Sequence, residues 1–127
     1  KSTIDKDTAK RHIAILGSTG SIGTQALEVV AAYPNRFAIE VLTAQSNAAL
    51  LITQAKAFQP NAVVIVDESK YGLVKEALHH EPIKVYTGIK ALEEVVQMQD
   101  IDIVLTALVG YAGLKPTLKA IEYGKTI

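Results

Sequence analysis

Short apolar runs alternate with amphipathic stretches along most of this chain. The apolar runs are rich in aliphatic residues, end at turn-forming residues, and predict five strands over residues 12–16, 37–43, 62–66, 83–86 and 101–108. Strands that alternate with helices form a parallel sheet, because the crossover between two parallel strands needs a helix. We therefore expect an α/β fold, a doubly wound parallel sheet of Rossmann type in a single three-layer domain.

Apolar residues recur at helical spacing in the segments between these strands. The first helix is predicted to end before Pro34 and to bury the positions Ile22, Ala26, Val29, Val30 and Tyr33. Further helices are predicted over residues 47–58, 71–79 and 89–96, with a last helix from Pro116 to about Gly124. Residues 1–11 are expected to be a flexible polar lead, and residues 12–127 one domain that is an excerpt of a longer protein.

Composition excludes several classes of function. The 127 residues include 13 basic and 13 acidic side chains, so no global field favours nucleic acid or an anionic membrane. Hydrophobic residues make up 49% of the chain, which is enough for one sizeable core, but no apolar run is long enough to span a bilayer. The chain contains no cysteine, which is consistent with a reducing compartment, and we expect a cytoplasmic location.

Three glycines lie in seven residues at the junction between the first strand and the first helix. Gly17, Gly20 and Gly23 have the spacing G-x-x-G-x-x-G rather than the G-x-G-x-x-G of the standard dinucleotide fingerprint. Glycines there let the chain turn sharply and bring backbone N–H groups and the helix N-terminus close to a pyrophosphate. The alternative is an ordinary glycine-rich turn, but the strand before and the helix after it favour a dinucleotide site.

The end of the second predicted strand bears on the choice of dinucleotide. NAD-binding domains carry an Asp or Glu here to bind the adenosine ribose, whereas this chain has Gln45, Ser46 and Asn47. With no carboxylate to repel a 2′-phosphate and with polar donors at a helix N-terminus, the segment favours NADP(H). Ser46 and Asn47 could equally cap the second helix, and the two roles can coexist.

Together with the end of the last strand, these segments resemble a known family. The matching segments are residues 15–25, 44–47, 107–117, 120–122 and 124–127. The glycine turn alone is shared with unrelated dehydrogenases, but its combination with the late motif Val109-Gly110-x-Ala112-Gly113-Leu114-x-Pro116-Thr117 is specific. The chain from about residue 12 onward resembles the N-terminal NADPH-binding domain of the 1-deoxy-D-xylulose 5-phosphate reductoisomerase family.

The resemblance implies a role for individual residues. Thr19, Gly20, Ser21 and Ile22 are expected to contact the pyrophosphate region of NADPH, and Ser46 and Asn47 the 2′-phosphate. The other expected cofactor-binding residues are Gly17, Gly23, Gln45 and Ala107. Two positions depart from many relatives: Gln45 replaces a glycine, and Ser46 replaces a lysine or arginine found in some of them.

The resemblance also implies an activity that needs more than this chain. In that family a divalent metal, Mg²⁺ or Mn²⁺, supports the rearrangement of a phosphosugar, which NADPH then reduces to 2-C-methyl-D-erythritol 4-phosphate in non-mevalonate isoprenoid synthesis. The metal ligands and the substrate site are expected after Ile127, so no catalytic and no metal-ligating residue is assigned here. A homodimer is expected, with no nucleic-acid or membrane partner. The alternatives are a semialdehyde-dehydrogenase-like domain and a non-catalytic nucleotide sensor.

Overall fold

The computed structural model describes residues 10–98 and 100–106, which form a five-stranded parallel sheet flanked by helices. The strands are β1 (Arg11–Leu16), β2 (Phe37–Ala44), β3 (Ala62–Ile65), β4 (Lys84–Thr87) and β5 (Ile103–Thr106). The helices are α1 (Ser21–Ala32), α2 (Ala48–Phe58), α3 (Tyr71–Ala77) and α4 (Ile89–Val95), and a short 3₁₀ helix, Glu68–Lys70, precedes α3.

The strand order β4-β3-β2-β1-β5 places the first strand next to both the second and the last described strand. Ile15 of β1 pairs with Leu42 of β2 on one side and with Leu105 of β5 on the other. The chain therefore builds the sheet outward from β1 in one direction and later returns to its other side. In open parallel sheets, ligands bind at such a reversal, outside the carboxyl ends of the strands.

Two hydrophobic clusters pack on opposite faces of the sheet. Ile13 and Ile15 belong to a cluster with residues of α1, α2 and α3, whereas Ala14 and Leu16 belong to a second cluster with residues of α4. This division follows from the pleat, because successive side chains of a strand point to opposite faces. The predicted parallel, three-layer α/β fold is confirmed for the described residues.

Several details differ from the sequence-based predictions. The buried residues of α1 are Gly23, Leu27 and Val30, whereas Ile22, Val29 and Tyr33, which we predicted to be buried, are 61%, 54% and 50% exposed. The helix carries apolar residues on more than one side, so periodicity alone could not choose the face. β1 begins at Arg11, one residue before its predicted start, β3 ends at Ile65, one residue before its predicted end, and β5 begins at Ile103, two residues after its predicted start. The predicted last helix lies outside the described residues.

A series of polar contacts connects the amino-terminal ends of the strands, which we call the amino edge of the sheet, in the order in which the strands lie. Asp102, before β5, exchanges two hydrogen bonds with the backbone of His12 in β1: its Oδ2 accepts from His12 N at 2.9 Å, and its N–H donates to His12 O at 2.8 Å. His12 Nδ1 lies 2.5 Å from Oε2 of Glu40 in β2, whose Oε1 accepts from Asn61 Nδ2. Lys84 N–H of β4 then donates to Asn61 O at 3.0 Å. Glu40, which is buried, thus has a partner for each carboxylate oxygen.

This amino edge also carries a cavity of about 510 Å³, lined by Phe37, Phe58, Glu40 and Asn61 among others. None of the predicted cofactor residues lines it. Among the described helices, none is long and apolar enough to cross a membrane.

Candidate functional site

The turn after β1 starts with a residue in the left-handed region. Gly17 has φ of 89°, a conformation that side chains strongly disfavour, and it is buried. Its backbone N–H donates to Thr43 Oγ1 at 2.9 Å, and its carbonyl accepts from Gly20 N–H at 3.4 Å. The first glycine of the motif is therefore required by the turn itself.

The last glycine of the motif is required by packing. A Cβ placed on Gly23 would lie 2.2 Å from Gly17 O and 2.6 Å from Ser18 Cα, both of them backbone atoms. The first turn of α1 thus rests directly on the glycine turn, closer than any other residue type allows. This contact fixes the direction in which α1 points its N-terminus.

The middle glycine faces open space. Gly20 is the exposed N-cap of α1, has φ of −80°, and a Cβ added to it would meet only Gly17 O, at 3.8 Å. No side chain caps the N-terminus of α1, and the first turn of the helix contains no acidic residue. Within the described part of the chain, the backbone N–H groups of Ser21, Ile22 and Gly23 have no acceptor. Together with the helix dipole, these free donors make a site for an anion such as a phosphate.

The predicted second segment lies at the end of the neighbouring strand. Gln45, Ser46 and Asn47 are exposed and connect β2 to α2. Asn47 Oδ1 accepts a hydrogen bond from Leu50 N–H at 3.1 Å, so the predicted cap of the second helix is confirmed. The cap occupies only the side-chain oxygen of Asn47. Gln45 O is held in turn by Asp67 N–H at 2.8 Å, which ties this loop to the end of β3.

Asp67 is a carboxylate that follows β3, and its backbone N–H contacts the loop after β2. Its Oδ1 accepts from Ser69 Oγ at 2.7 Å and from Ser69 N at 3.0 Å, and these hydrogen bonds hold the pKa of the Asp67 carboxyl below its ordinary value of 3.8. The carboxylate caps the 3₁₀ helix. It is therefore engaged by its own helix rather than by the loop after β2.

The two predicted segments meet through Thr43, the residue before the end of β2. Thr43 O accepts from Ser18 N–H at 2.8 Å, and Thr43 Oγ1 accepts from Gly17 N–H. The turn after β1 therefore lies beside the loop after β2 at the carboxyl ends of the strands, which we call the carboxyl edge of the sheet. The predicted cofactor residues at this edge are Gly17, Thr19, Gly20, Ser21, Ile22, Gly23, Gln45, Ser46 and Asn47. β5 ends at Thr106, which pairs with Leu16 of β1. Ala107 and the late motif from Val109 to Thr117 lie outside the described residues.

Sequence analysis missed the buried side chains behind this site. Ser18 and Gln54 are 0% and 6% exposed, and both polar atoms of the Gln54 amide bond to Ser18. A glutamine within the otherwise apolar face of the second predicted helix was the available signal, since a buried amide needs partners. Among the described residues, no group of three or more His, Asp or Glu side chains could hold a metal ion.

Comparison with known proteins identifies relatives of the whole matched region. The family model for 1-deoxy-D-xylulose 5-phosphate reductoisomerase matches residues 13–127. The reductoisomerase of Bacteroides fragilis is 57% identical over 118 residues, which cover 93% of this chain and 30% of that protein. The reductoisomerase of Crocosphaera subtropica is 45% identical over 120 residues, again covering 30% of that protein.

Solved structures agree with the sequence comparison. The reductoisomerase from Zymomonas mobilis in complex with NADPH matches with a TM-score of 0.88 and 38% identity, covering 92% of this chain and 31% of that one. A reductoisomerase in complex with NADPH, fosmidomycin and magnesium matches with a TM-score of 0.86 and 32% identity, covering 91% of this chain and 28% of that one.

The chain thus spans about 30% of the length of the relatives that it matches. The match includes the glycine turn, the end of β2 and the residues after β5, and it does not favour a semialdehyde dehydrogenase or a nucleotide sensor. This chain belongs to the 1-deoxy-D-xylulose 5-phosphate reductoisomerase family.

Proposed function

We propose that this chain is the NADPH-binding part of an enzyme that converts 1-deoxy-D-xylulose 5-phosphate into 2-C-methyl-D-erythritol 4-phosphate. The observation that carries this proposal is the family match over residues 13–127. The match includes a glycine turn and a helix N-terminus whose first N–H groups have no acceptor among the described residues. The NADPH named in the Zymomonas mobilis complex supports the choice of cofactor.

The described residues fit the cofactor in two respects. The open space at Gly20 and the unpaired N–H groups of Ser21 and Ile22 suit a pyrophosphate, which accepts several hydrogen bonds. Gln45, Ser46 and Asn47 then supply an exposed polar loop without a carboxylate, which suits a 2′-phosphate. Thr19, Gly17, Gly23 and Ala107 complete the proposed set of cofactor-binding residues.

The role of this chain in the reaction would be to position the cofactor. NADPH supplies the hydride that reduces the rearranged phosphosugar. The turn and the loop after β2 would hold the two ends of the adenosine diphosphate part of the cofactor, and so fix where its nicotinamide lies. No described residue is proposed to exchange a proton with the substrate.

The remaining parts of the proposal concern the complete protein. A divalent metal, Mg²⁺ or Mn²⁺, would be bound outside the described residues, and the magnesium in the related complex supports the first choice. We further propose a cytoplasmic homodimer with a phosphosugar substrate and without a nucleic-acid or membrane partner. Residues 11–127, from the start of β1 onward, would form its NADPH-binding domain.

Parallel assays with different substrates test this function. The full-length protein that carries this chain is mixed with NADPH, Mg²⁺ and 1-deoxy-D-xylulose 5-phosphate, and the loss of NADPH absorbance is followed. We expect a loss that requires the phosphosugar and stops when the metal is chelated. Reduction of NADP⁺ with a semialdehyde and phosphate, and none of the first reaction, would instead support the dehydrogenase alternative. NADPH binding with no turnover of either substrate would support a sensor.

A further inference from the structure

Gln54 is a buried polar residue in the middle of α2, and no contact of the proposed cofactor site requires it directly. It is 6% exposed, and its neighbours on the same face of the helix, Leu51 and Ala55, belong to the hydrophobic core. Burying an amide is unfavourable unless its donor and its acceptor are both paired. Its partners therefore indicate why a glutamine stands at this position.

Both polar atoms of the Gln54 side chain bond to one residue of the glycine turn. Oε1 accepts from Ser18 Oγ at 2.7 Å, and Nε2 donates to Ser18 O at 2.9 Å. Ser18 is fully buried, and its N–H is held by Thr43 O at 2.8 Å. The turn is thus fixed on one side by β2 and on the other by α2.

The helix that carries Gln54 also begins with the second proposed cofactor segment. Asn47 caps the N-terminus of α2, about 10 Å along the helix axis from Gln54 at the rise of an α-helix. The Ser18–Gln54 pair therefore connects the turn proposed for the pyrophosphate to the helix whose start is proposed for the 2′-phosphate. A shift of either segment relative to the other breaks two buried hydrogen bonds.

We propose that Gln54 is a positioning residue that raises the affinity for NADPH by holding these two segments at a fixed separation, without touching the cofactor. This inference rests on the proposed function. It adds that a buried amide helps to set the two ends of the adenosine diphosphate site, in addition to the hydrogen bonds of Thr43 to Gly17 and Ser18. A ligand that spans both segments gains from their preorganisation, since it does not have to order them on binding.

The test uses the full-length protein and the variants Gln54→Leu and Gln54→Glu. Leucine removes both hydrogen bonds, whereas an ionised glutamate keeps an acceptor for Ser18 Oγ and loses the donor to Ser18 O. By NADPH fluorescence titration we expect the Kd to rise roughly tenfold for Gln54→Leu. We expect it to rise at least as much for Gln54→Glu, because an ionised carboxylate would be buried against the Ser18 carbonyl. With saturating NADPH we expect kcat to stay near the wild-type value while the KM for NADPH rises with Kd.

A double-mutant cycle with Ser18→Ala separates positioning from loss of stability. If Gln54 acts through Ser18, the combined variant weakens NADPH binding by less than the product of the two single effects. Val74→Ala, a buried substitution on α3, serves as the control: it lowers the melting temperature and should leave the Kd for NADPH unchanged.

The outcomes distinguish this inference from the proposed function. Wild-type protein that binds no NADPH overturns the proposed function and this inference with it. Wild-type protein that binds NADPH, with Gln54→Leu binding equally well, overturns the positioning role alone. If Gln54→Leu does not fold, Gln54→Glu and Ser18→Ala test the positioning role instead. Unchanged Kd values for NADPH in both variants would contradict the inference.

Discussion

Gly20 and Gly23 are three residues apart at the start of α1, yet the structure gives them different roles. A side chain at Gly20 would extend into open space, whereas a side chain at Gly23 would collide with the backbone of the preceding turn. One glycine is thus kept open for a ligand, and the other is needed for the fold. The two roles lead to opposite expectations for substitutions at these positions.

Gly20→Val is expected to abolish NADPH binding while leaving the fold intact. The valine side chain would occupy the space proposed for the pyrophosphate, but its Cβ would meet only one protein atom, at 3.8 Å. Fluorescence titration with NADPH and thermal unfolding of the same sample measure the two effects. Wild-type affinity in this variant would remove Gly20 from the proposed site.

Gly23→Ala is expected to destabilise the protein by about 1–3 kcal/mol, the usual cost of forcing extra atoms into a packed contact. The new Cβ would lie 2.2 Å from Gly17 O, so the helix or the turn must move. Gly72→Ala is the matched control, because a Cβ on Gly72 has nothing within 4 Å. That substitution should stabilise α3 slightly, since alanine favours helix more than glycine does. Chemical denaturation of both variants gives the comparison, and equal stabilities would contradict the packing role.

Between β2 and α2, Asn47 has two roles: a structural role as the cap of α2 and a proposed role in binding the cofactor. Its side-chain oxygen caps α2, and an aspartate would cap the helix equally well. Asn47→Asp should therefore keep the melting temperature and place a negative charge where the 2′-phosphate is proposed.

The expected result is a roughly tenfold loss of affinity for NADPH with a smaller loss for NADH, because only NADPH carries the additional phosphate. Parallel titrations of Asn47→Asp with the two cofactors measure the difference. Asn47→Ala is the control, since it removes the cap without adding charge and should cost about 1 kcal/mol of stability. Equal losses for both cofactors in Asn47→Asp would place the 2′-phosphate elsewhere.

Much of this architecture was predictable from the sequence, because strands and helices differ in apolar period. The order of elements and the position of the glycine turn follow from that period and from Gly17, Gly20 and Gly23. The buried face of α1 did not follow, since Ile22 and Val29 are as apolar as the residues that pack inward. The Ser18–Gln54 pair was also missed, because residues 36 apart in sequence meet only once the sheet has formed.

Across the whole sheet, the two edges carry different sets of polar contacts. The carboxyl edge carries the proposed cofactor site, and the amino edge carries the chain of polar contacts from Asp102 through His12, Glu40 and Asn61 to Lys84. These contacts connect all five described strands in spatial order. Their position, away from the glycine turn, indicates a role in stability.

Glu40→Gln is expected to lower the free energy of unfolding by about 1.5–3 kcal/mol, the range for hydrogen bonds to a charged group. The amide keeps the shape of the side chain but loses the charge opposite His12. The Kd for NADPH should not change, because the substitution lies at the opposite edge of the sheet. Glu28→Gln, an exposed position on α1, is the control and should have little effect on stability. A weakened Kd in Glu40→Gln would show that the two edges are coupled.

The carboxyl edge is proposed to bind NADPH, with the glycine turn at its pyrophosphate and the loop after β2 at its 2′-phosphate. Equilibrium titration of the full-length protein with NADPH and NADH tests it most directly. We expect NADPH to bind at least about tenfold more tightly than NADH, which corresponds to about 1.4 kcal/mol for the additional phosphate. Equal affinities for the two cofactors, or binding of neither, would contradict this assignment of the two phosphate sites.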